Sequence, residues 1–414
     1  MTCLSTDIDA TSTATIIVMK NDFTNANHLI EGYRRTQKAS GWKDSTQNYG
    51  MNCLRRTCDL QRTIRQGVYQ QEEGSTFRRM ENGHLRLVKA LTVRDMVMQH
   101  ALCDYVMIPA LRPFLIHDNG ASLKGKGISF TRKRLIQHLS WHYRRYGREG
   151  YVLKIDFRKY FDNIDHAIFF MEVEKHLEGY PYAKDMLRRI LEANEVDVSY
   201  TDDPDIKAKV FNALEYGKLP RELLTGERYM AKSMGIGAPV SQIAGVYLPS
   251  RIDHYCKTVR GIHCYDAYMD DRIIIHPSKA FLQQLLKEIK GIAAELGIHV
   301  NDHKTQIVKL SRGLTFLKTR YTITKTGKII RRIPHDVVTR QRRKMKALAR
   351  YAVAGEFTLE AFDQQYKSWY WDKNRYHARR TLRNVRQLYR RLRKWITKTK
   401  SSTSKSLGRT AASR

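Results

Sequence analysis

Apolar side chains recur at helical spacing near both ends of the chain, and shorter β-prone runs lie between these stretches. Residues 53–70 have helical spacing, which a glycine interrupts near the end. Residues 85–114 predict a strand followed by an amphipathic helix, with Pro109 and Pro113 at its end. The first part of the chain is therefore expected to be mainly helical.

The middle of the chain predicts a core of strands and helices. Residues 151–166 begin as a buried strand and pass through Asp156 into the start of a helix. Residues 234–256 are a Gly/Pro loop that leads into a helix, and residues 264–277 are two β-prone runs around an acidic turn, which is typical of a hairpin. A helix over 278–296 and further strands follow.

Four segments stand apart from this core by their composition. The segment before residue 51 is polar, a stretch near residue 200 has no clear period, a long basic stretch is rich in Tyr and Trp, and the tail is low in complexity. The expected organisation is a loosely packed N-terminal extension over 1–50, a mixed α/β part over 51–325 with an insertion at about 194–230, a basic all-helical part over 326–400 and a disordered tail over 401–414.

Composition adds a partner class to this picture. The 414 residues include 74 Lys and Arg against 41 Asp and Glu, a formal net charge of +33. Such an excess favours a polyanionic partner, because phosphate neutralisation releases counterions. The alternative is a basic protein that binds nothing in particular. Nucleic acid is the preferred partner.

Cysteine usage and hydropathy indicate the compartment. The six cysteines are scattered, without C-x-x-C or paired zinc spacing, and are expected to be reduced thiols. No signal-peptide pattern is present, and no apolar stretch approaches the roughly 20 residues that a membrane span needs. We expect a cytoplasmic protein, bacterial or phage-encoded, without membrane attachment.

Carboxylates at strand ends are the main candidates for chemistry. Asp270 and Asp271 form an acidic turn between apolar flanks, where repulsion between the two carboxylates is relieved most readily by cations. Asp156 ends an apolar run, where charge is normally excluded. Alternatives are a solvated hairpin turn for the pair and a helix N-cap for Asp156. Together they predict a two-metal site for nucleotidyl transfer.

Several sequence elements resemble the palm motifs of reverse transcriptases, and they occur in the family's order. The elements are DFRKYFDNIDH at 156–166, GAPVSQ at 237–242 and YMDD at 268–271. Asp253, LGIHVNDHKT at 296–305 and LRLVKALTVRDMVMQ at 85–99 also resemble family segments, whereas Lys318 stands where the family's primer-grip element usually has Gly. The resemblance covers roughly residues 55–400 and points to stand-alone bacterial enzymes, related to those of group II introns.

The resemblance implies a right-hand polymerase of the α/β (α+β) class. Fingers and palm with a small antiparallel sheet would be followed by an all-α basic thumb. Two Mg²⁺ ions, for which Mn²⁺ can substitute, would be held by Asp156, Phe157, Asp270 and Asp271. Lys304 would approach the triphosphate or protonate pyrophosphate, the alternative being a solvated lysine.

The same resemblance assigns substrate contacts. Phe161 would be the steric gate that clashes with a ribose 2′-hydroxyl, and Tyr268 and Met269 would abut the primer terminus. Core packing is the alternative for all three. The loop before the 239–256 helix would contact nucleotide and template, or would only lead into that helix, and the finger residues would contact triphosphate or be surface charges. The residues assigned to substrate binding are Phe157, Phe161, Gly237, Ala238, Pro239, Ser241, Gln242, Tyr268, Met269, Arg86, Lys89 and Arg94.

The C-terminal stretch combines an apolar helical stripe with basic faces. The stripe consists of Leu382, Val385, Leu388, Leu392 and Ile396. The candidates for contact with the nucleic-acid backbone are Arg379, Arg383, Arg386 and Arg390. A solvated face is the alternative, although almost no acids balance these bases.

The function implied is RNA-directed DNA synthesis on a dedicated noncoding RNA, in antiphage defence. The partners would be the RNA template, the DNA product and dNTPs, with a second copy or an accessory protein as a further possibility. Within the family, the alternatives are a retron enzyme or the polymerase of a diversity-generating retroelement. Outside it, the alternatives are an RNA-directed RNA polymerase and a catalytically idle nucleic-acid-binding protein.

Overall fold

A computed structural model describes residues 22–81, 84–197, 224–225 and 229–411. The chain forms two compact units. The first unit comprises Met1–Arg134, Leu153–Ile274 and Ala280–Gln306, and the second comprises Leu135–Val152, Ile275–Lys279 and Ile307–Arg414.

The first unit begins with three helices, α1 (Ala26–Ser40), α2 (Asp44–Met51) and α3 (Cys53–Arg65). Leu29 and Tyr33 of α1 are buried, one helical turn apart. Gly32 lies against the helix that contains Val97, since a Cβ on Gly32 would be 2.5 Å from the carbonyl oxygen of Val97. The prediction of a loosely packed extension over 1–50 is therefore wrong from residue 22 onward, because a few apolar side chains on one face suffice to pack a polar helix. Residues 1–21 lie outside the described part.

The predicted strand and helix after residue 85 belong to a larger arrangement. Strands β1 (Ser75–Glu81) and β2 (His84–Ala90) pair antiparallel, and α4 (Val93–Leu102) follows. Thr92 caps α4 by accepting a hydrogen bond from the N–H of Asp95. A π-helical turn at Cys103–Met107 leads to α5 (Ile108–Leu111), and α6 (Ile128–Tyr146) precedes the central sheet.

The central elements follow in chain order. They are β3 (Tyr151–Asp156), α7 (His166–Glu174), α8 (Ala183–Glu192), the short strands β4 (Val196–Asp197), β5 (Leu224–Thr225) and β6 (Tyr229–Met230), then α9 (Pro239–Tyr247), α10 (Ser250–His254), β7 (Tyr265–Tyr268), β8 (Asp271–His276), α11 (Lys279–Glu295) and β9 (Gln306–Lys309). Of the predicted insertion over 194–230, residues 198–223 and 226–228 lie outside the described part.

The central sheet has the strand order β7-β8-β3-β9. Strands β7 and β8 pair antiparallel with Tyr268 opposite Asp271, which is the predicted hairpin. Ile273, Ile274 and Ile155 are fully buried, as expected for strands covered on both faces. The ends of β3 and β8 are therefore anchored by apolar packing on either side of the acidic turn.

The second unit contains a three-stranded antiparallel sheet and a helical C-terminal part. Its strands are β10 (Leu314–Phe316), β11 (Thr319–Ile323) and β12 (Ile329–Arg332), and its helices are α12 (His335–Val353), α13 (Leu359–Lys373) and α14 (Arg379–Ala411). Leu317 and Lys318 join β10 to β11 with φ values of 46° and 57°. Lys318 thus adopts the left-handed conformation that favours the family's usual Gly.

The helical part is held together by a core of its own. Phe362, Val385 and Ile396 are buried in it, with Leu388 and Leu392 packed alongside, so the apolar stripe is confirmed. The all-α prediction over 326–400 is corrected by β12, whose β-branched residues pair with β11. Helix α14 extends to Ala411, into the segment 401–414 for which the sequence predicts disorder.

These units give a mixed α/β fold with small antiparallel sheets and a helical C-terminal region, so the predicted right-hand polymerase class is confirmed. In the part of the chain that the structure describes, every helix is too short or too polar to cross a membrane.

Candidate active site

Asp156 is fixed at the end of β3 by one short turn. The main-chain N–H of Asn301 donates to the carbonyl oxygen of Asp156 at 2.8 Å, and the side-chain amide of Asn301 donates to Oδ2 at 3.0 Å. The main-chain N–H of Asp156 donates to Oγ1 of Thr305 at 3.4 Å. Nζ of Lys304 lies 3.3 Å from Oδ2. Asp156 is therefore oriented in both its main chain and its carboxylate.

The other two carboxylates, Asp270 and Asp271, lie at the β7–β8 turn. Met269 and Asp270 form its two central residues, and Met269 has a φ of 54°. Left-handed backbone is usual in two-residue hairpin turns, but a non-glycine residue there needs support from its surroundings. Arg272 supplies a contact, because its Nη1 donates to the carbonyl oxygen of Met269. Asp271 then starts β8.

The two carboxylate-bearing segments meet in the main chain. The N–H of Phe157 donates to the carbonyl oxygen of Asp270 at 3.3 Å, so the end of β3 lies directly beside the turn. Burial raises the pKa of Asp270, and the charge of Asp156 raises it further. Burial also raises the pKa of Asp271 to about 6, against the lowering effect of Lys154, whose Nζ lies 3.6 Å away. The site therefore concentrates negative charge, which favours the binding of cations.

The donor chemistry of these carboxylates fits a divalent cation. Carboxylate oxygens are the ligands that Mg²⁺ prefers, and the charge of Asp156 raises the pKa of both Asp270 and Asp271. Over the described residues, no three His, Cys, Asp or Glu side chains are close enough together to hold an ion. The cations that lie against the carboxylates are the ammonium groups of Lys154 and Lys304.

Phe161 lies beside the acidic turn. It opens the 3₁₀ turn Phe161–Asn163 and is half-buried. Its ring packs on Gly245 of α9, since a Cβ on Gly245 would lie 3.0 Å from Cε1 and Cζ of the ring and 3.5 Å from Sδ of Met269. The structure therefore brings Phe161 and the acidic turn to the same glycine.

Other predicted contacts at the turn differ in exposure. Tyr268 is half-buried, and burial raises its pKa. Oγ of Ser122 lies 3.8 Å from Sδ of Met269. The ring of Phe157 is buried under the guanidinium of Arg272, 4.6 Å from its centre. This corrects the assignment of Phe157 to substrate binding, because only its main chain lies beside the carboxylates.

The predicted nucleotide-contacting loop is only partly accessible. Gly237 is exposed with a φ of 102°, and Gln242 is exposed on α9. Ala238, Pro239 and Ser241 are buried, because Pro239 starts α9 and this helix packs inside the core. For these three the structure favours the alternative that the loop only leads into the helix.

A cavity of about 400 Å³ nevertheless adjoins this loop. Gly237, Ala238 and Lys89 line it, together with Phe77 and Val88 of the β1–β2 hairpin. The loop and the fingers hairpin thus face one concave space, which is the usual form of a small-molecule site.

The basic residues of the fingers are engaged within the protein. Nζ of Lys89 donates to the carbonyl oxygen of Ala193 at 2.6 Å, and burial lowers its pKa. Arg94 donates to the carbonyl oxygen of Gln70 at 3.0 Å and stacks on the Tyr69 ring at 4.7 Å. Each side chain thus has one donor engaged within the protein, and contact of Lys89 and Arg94 with triphosphate stays a prediction. The side chain of Arg86 lies outside the described part.

The four arginines predicted to grip nucleic acid belong to the second unit. The side chains of Arg379, Arg383, Arg386 and Arg390 are all exposed on α14. The guanidinium of Arg386 lies 5.7 Å from the centre of the Tyr370 ring. Burial of the apolar stripe leaves this basic face toward solvent.

Sequence reasoning missed two residues of the site. Asn301 holds the carboxylate of Asp156, and its signal was its place in the segment that resembles the family at 296–305. Arg272 is buried beside the turn, although an arginine after two aspartates reads as a solvated charge. Only the fold reveals its partners.

The mixed α/β fold with small antiparallel sheets is that of a right-hand polymerase, and its central sheet carries a strand-end aspartate beside a hairpin with two more. The family model of reverse transcriptase (RNA-dependent DNA polymerase) matches residues 82–322, more than half of the chain. The chain belongs to the reverse transcriptase family. Domains of this family generally use divalent metal ions.

Among solved structures, the chain is similar to telomerase from Candida albicans in complex with a TWJ fragment of telomeric RNA. The sequence identity is 13% and the TM-score 0.42, over 80% of this chain and 56% of the telomerase chain. The chain thus spans little more than half the length of that relative. Comparison with the sequences of curated proteins finds no match.

Proposed function

We propose that the protein synthesises DNA on an RNA template, with Asp156, Asp270 and Asp271 as its catalytic carboxylates. One observation carries the proposal: the hydrogen bond from Phe157 N–H to the Asp270 carbonyl oxygen brings these carboxylates to one end of the sheet. Burial and mutual repulsion raise the pKa of Asp270 and Asp271, which makes cation binding favourable there. Phosphoryl transfer needs such charge neutralisation more than it needs an acid or base.

Two Mg²⁺ ions, or Mn²⁺ in their place, are proposed at these carboxylates and the main chain of Phe157. When bound, they would supply activation of the primer 3′-oxygen and charge stabilisation of the leaving pyrophosphate. The protein's part is orientation. Asn301 and Thr305 hold Asp156, and Lys154 accompanies Asp271.

Lys304 is proposed to meet the triphosphate. Its side chain is 65% exposed while its Nζ lies 3.3 Å from Asp156. A flexible ammonium group at that place can leave the carboxylate for a phosphate without unfolding any element. It would then neutralise charge on the leaving group.

Sugar and base contacts are proposed around Phe161 and the α9 loop. The half-buried ring of Phe161, backed by Gly245, would exclude a ribose 2′-hydroxyl. Gly237 and Gln242 are the exposed residues of the loop, and Gly237 lines the 400 Å³ cavity. A nucleotide or template base of the substrate would contact them there.

Arg379, Arg383, Arg386 and Arg390 are proposed to contact phosphates of the primer–template duplex. They are exposed on one helix of a chain whose net charge is +33. Such contacts position the duplex without reading its sequence.

Incorporation by the purified protein tests the proposal. On an annealed RNA template and DNA primer with Mg²⁺, we expect extension with dNTPs and little with NTPs. Extension with NTPs alone would favour an RNA-directed RNA polymerase, and duplex binding without extension would favour an idle nucleic-acid-binding protein. A DNA template of the same sequence, run in parallel, reports whether RNA is the preferred template.

A dedicated noncoding RNA template, antiphage defence and a cytoplasmic location are proposed from the resemblance to stand-alone bacterial enzymes. Sequencing of RNA and DNA that co-purify with the protein tests the template. We expect one abundant RNA and DNA complementary to part of it. DNA covalently joined to its RNA would favour a retron, and mutated copies of a nearby gene segment would favour a diversity-generating retroelement.

A further inference from the structure

Arg272 is a charged side chain in an otherwise apolar place. Its side chain is 1% exposed, and it lies in β8 directly after the two aspartates of the turn. A buried guanidinium is costly unless its donors are paired. Its partners therefore indicate what the charge does.

The first partner is an aspartate on another element. Nε of Arg272 lies 3.3 Å from Oδ1 of Asp253 in α10, whose side chain is 2% exposed. The hydroxyl of Tyr265 in β7 donates to the same oxygen. Asp253 thus joins α10 to both strands of the hairpin.

The other contacts of Arg272 reach the turn and the end of β3. Its Nη1 donates to the carbonyl oxygen of Met269, the residue with left-handed backbone. Its guanidinium stacks on the ring of Phe157, the residue after Asp156. One planar group therefore touches both segments that carry the catalytic aspartates.

We propose that the Asp253–Arg272 pair is a positioning device that sets the turn at Met269–Asp270 against the end of β3. This inference rests on the proposed function for its catalytic consequence. The guanidinium fork spans Asp253 and the Met269 carbonyl oxygen at once, which a single ammonium nitrogen would not do with the same geometry. A small loosening of the turn would displace two carboxylates together.

A role in stability alone makes a different prediction. Replacing a buried ion pair by apolar residues of similar volume is often neutral for folding, whereas removing one partner is harmful. The double variant Asp253→Leu with Arg272→Met therefore keeps the fold and loses the hydrogen bond to Met269. Arg272→Lys is the second variant, which keeps the charge beside Asp253.

The test combines hydrogen exchange with single-nucleotide kinetics on the full chain. In the double variant, we expect amides of 269–271 to exchange at least roughly tenfold faster, since local opening is easier. With RNA template and DNA primer, kcat should fall roughly 100-fold, as for a misplacement of about 1 Å, while KM for dNTP stays within about twofold. For Arg272→Lys, the exchange rate of these amides and kcat should both lie between the values of the double variant and of the unaltered protein.

A matched control lies in the second unit. There Asp363 accepts hydrogen bonds from Tyr389 at 2.7 Å and from Nε of Arg393 at 3.1 Å, the same three residue types. Asp363→Leu with Arg393→Met should leave exchange at 269–271 and kcat unchanged.

Unchanged exchange and kcat in the double variant would overturn the proposal, and if that variant does not fold, full activity of Arg272→Lys would do so. If the unaltered protein extends no primer, the proposed function fails, while the exchange result still decides whether the pair holds the turn.

Discussion

The main-chain N–H of Phe157 donates a hydrogen bond to the carbonyl oxygen of Asp270, 3.3 Å away. The two residues are far apart in the sequence; Phe157 directly follows β3 and Asp270 directly precedes β8, and these two strands are neighbours in one sheet. This contact fixes the end of β3 beside the β7–β8 turn, so that the charge of Asp156 raises the pKa of both carboxyl groups at the turn. Each prediction below concerns a group that acts on this arrangement.

The first prediction concerns sugar choice. Phe161→Ala opens space where a 2′-hydroxyl would collide, so the ratio of rNTP to dNTP incorporation should rise about tenfold or more, the size of a lost contact of about 1–3 kcal/mol. The measurement is kcat/KM for one dNTP and the matching rNTP. An unchanged ratio would place the gate elsewhere.

The second prediction tests what holds Phe161. Gly245→Ala places a Cβ 3.0 Å from the ring and pushes the ring toward its half-exposed side. The efficiency of dNTP incorporation should fall several-fold, about two- to tenfold, mainly through KM. Gly291→Ala is the matched control, because nothing lies within 4 Å of a Cβ there. Equal kinetics for both variants would show that the ring does not depend on Gly245.

The third prediction tests whether catalysis depends on the orientation of the Asp156 carboxylate, since the variant leaves its charge unchanged. Asn301→Ala removes the amide that donates to Oδ2 of Asp156 at 3.0 Å, and kcat should fall about tenfold without a change in primer–template affinity. Asp302→Asn in the same turn is the control, since its exposed carboxylate pairs with Lys290. A loss of affinity with unchanged kcat would contradict the assignment.

The fourth prediction separates binding of the primer–template from the nucleotide-incorporation step. Changing Arg379, Arg383, Arg386 and Arg390 to Gln should weaken primer–template binding and processivity. Each lost phosphate contact should flatten the dependence of log affinity on log salt by roughly 0.7–0.9. Single-turnover incorporation at saturating protein should stay the same. An unaltered salt slope would mean that this face meets solvent or protein.

The order of motifs made the fold class predictable, and with it the places of the three aspartates at strand ends, because strand ends and a hairpin turn leave local patterns. Contacts between residues far apart in the sequence leave no such local pattern. Lys89 and Arg94 looked like ligands for phosphate, yet Ala193 and Tyr69 engage them. No local pattern marks Arg272, which pairs with Asp253 in the core.

The N-terminal helices were missed for another reason. Leu29 and Tyr33 bury a single face of α1 within a polar segment, and average composition hides so narrow a stripe. In α14, by contrast, the apolar stripe is long enough for the sequence to predict the buried face.

The double variant Asp270→Asn with Asp271→Asn tests the central claim most directly. The change removes charge and almost no volume. Because burial raises the pKa of both carboxyl groups, each ionised form opposes folding near neutral pH, so Tm should be equal or higher. The measurement is single-nucleotide extension of a DNA primer on an RNA template with Mg²⁺, beside a thermal unfolding curve. We expect a folded protein that binds the duplex and makes no extended product, and polymerisation by this variant would contradict the account.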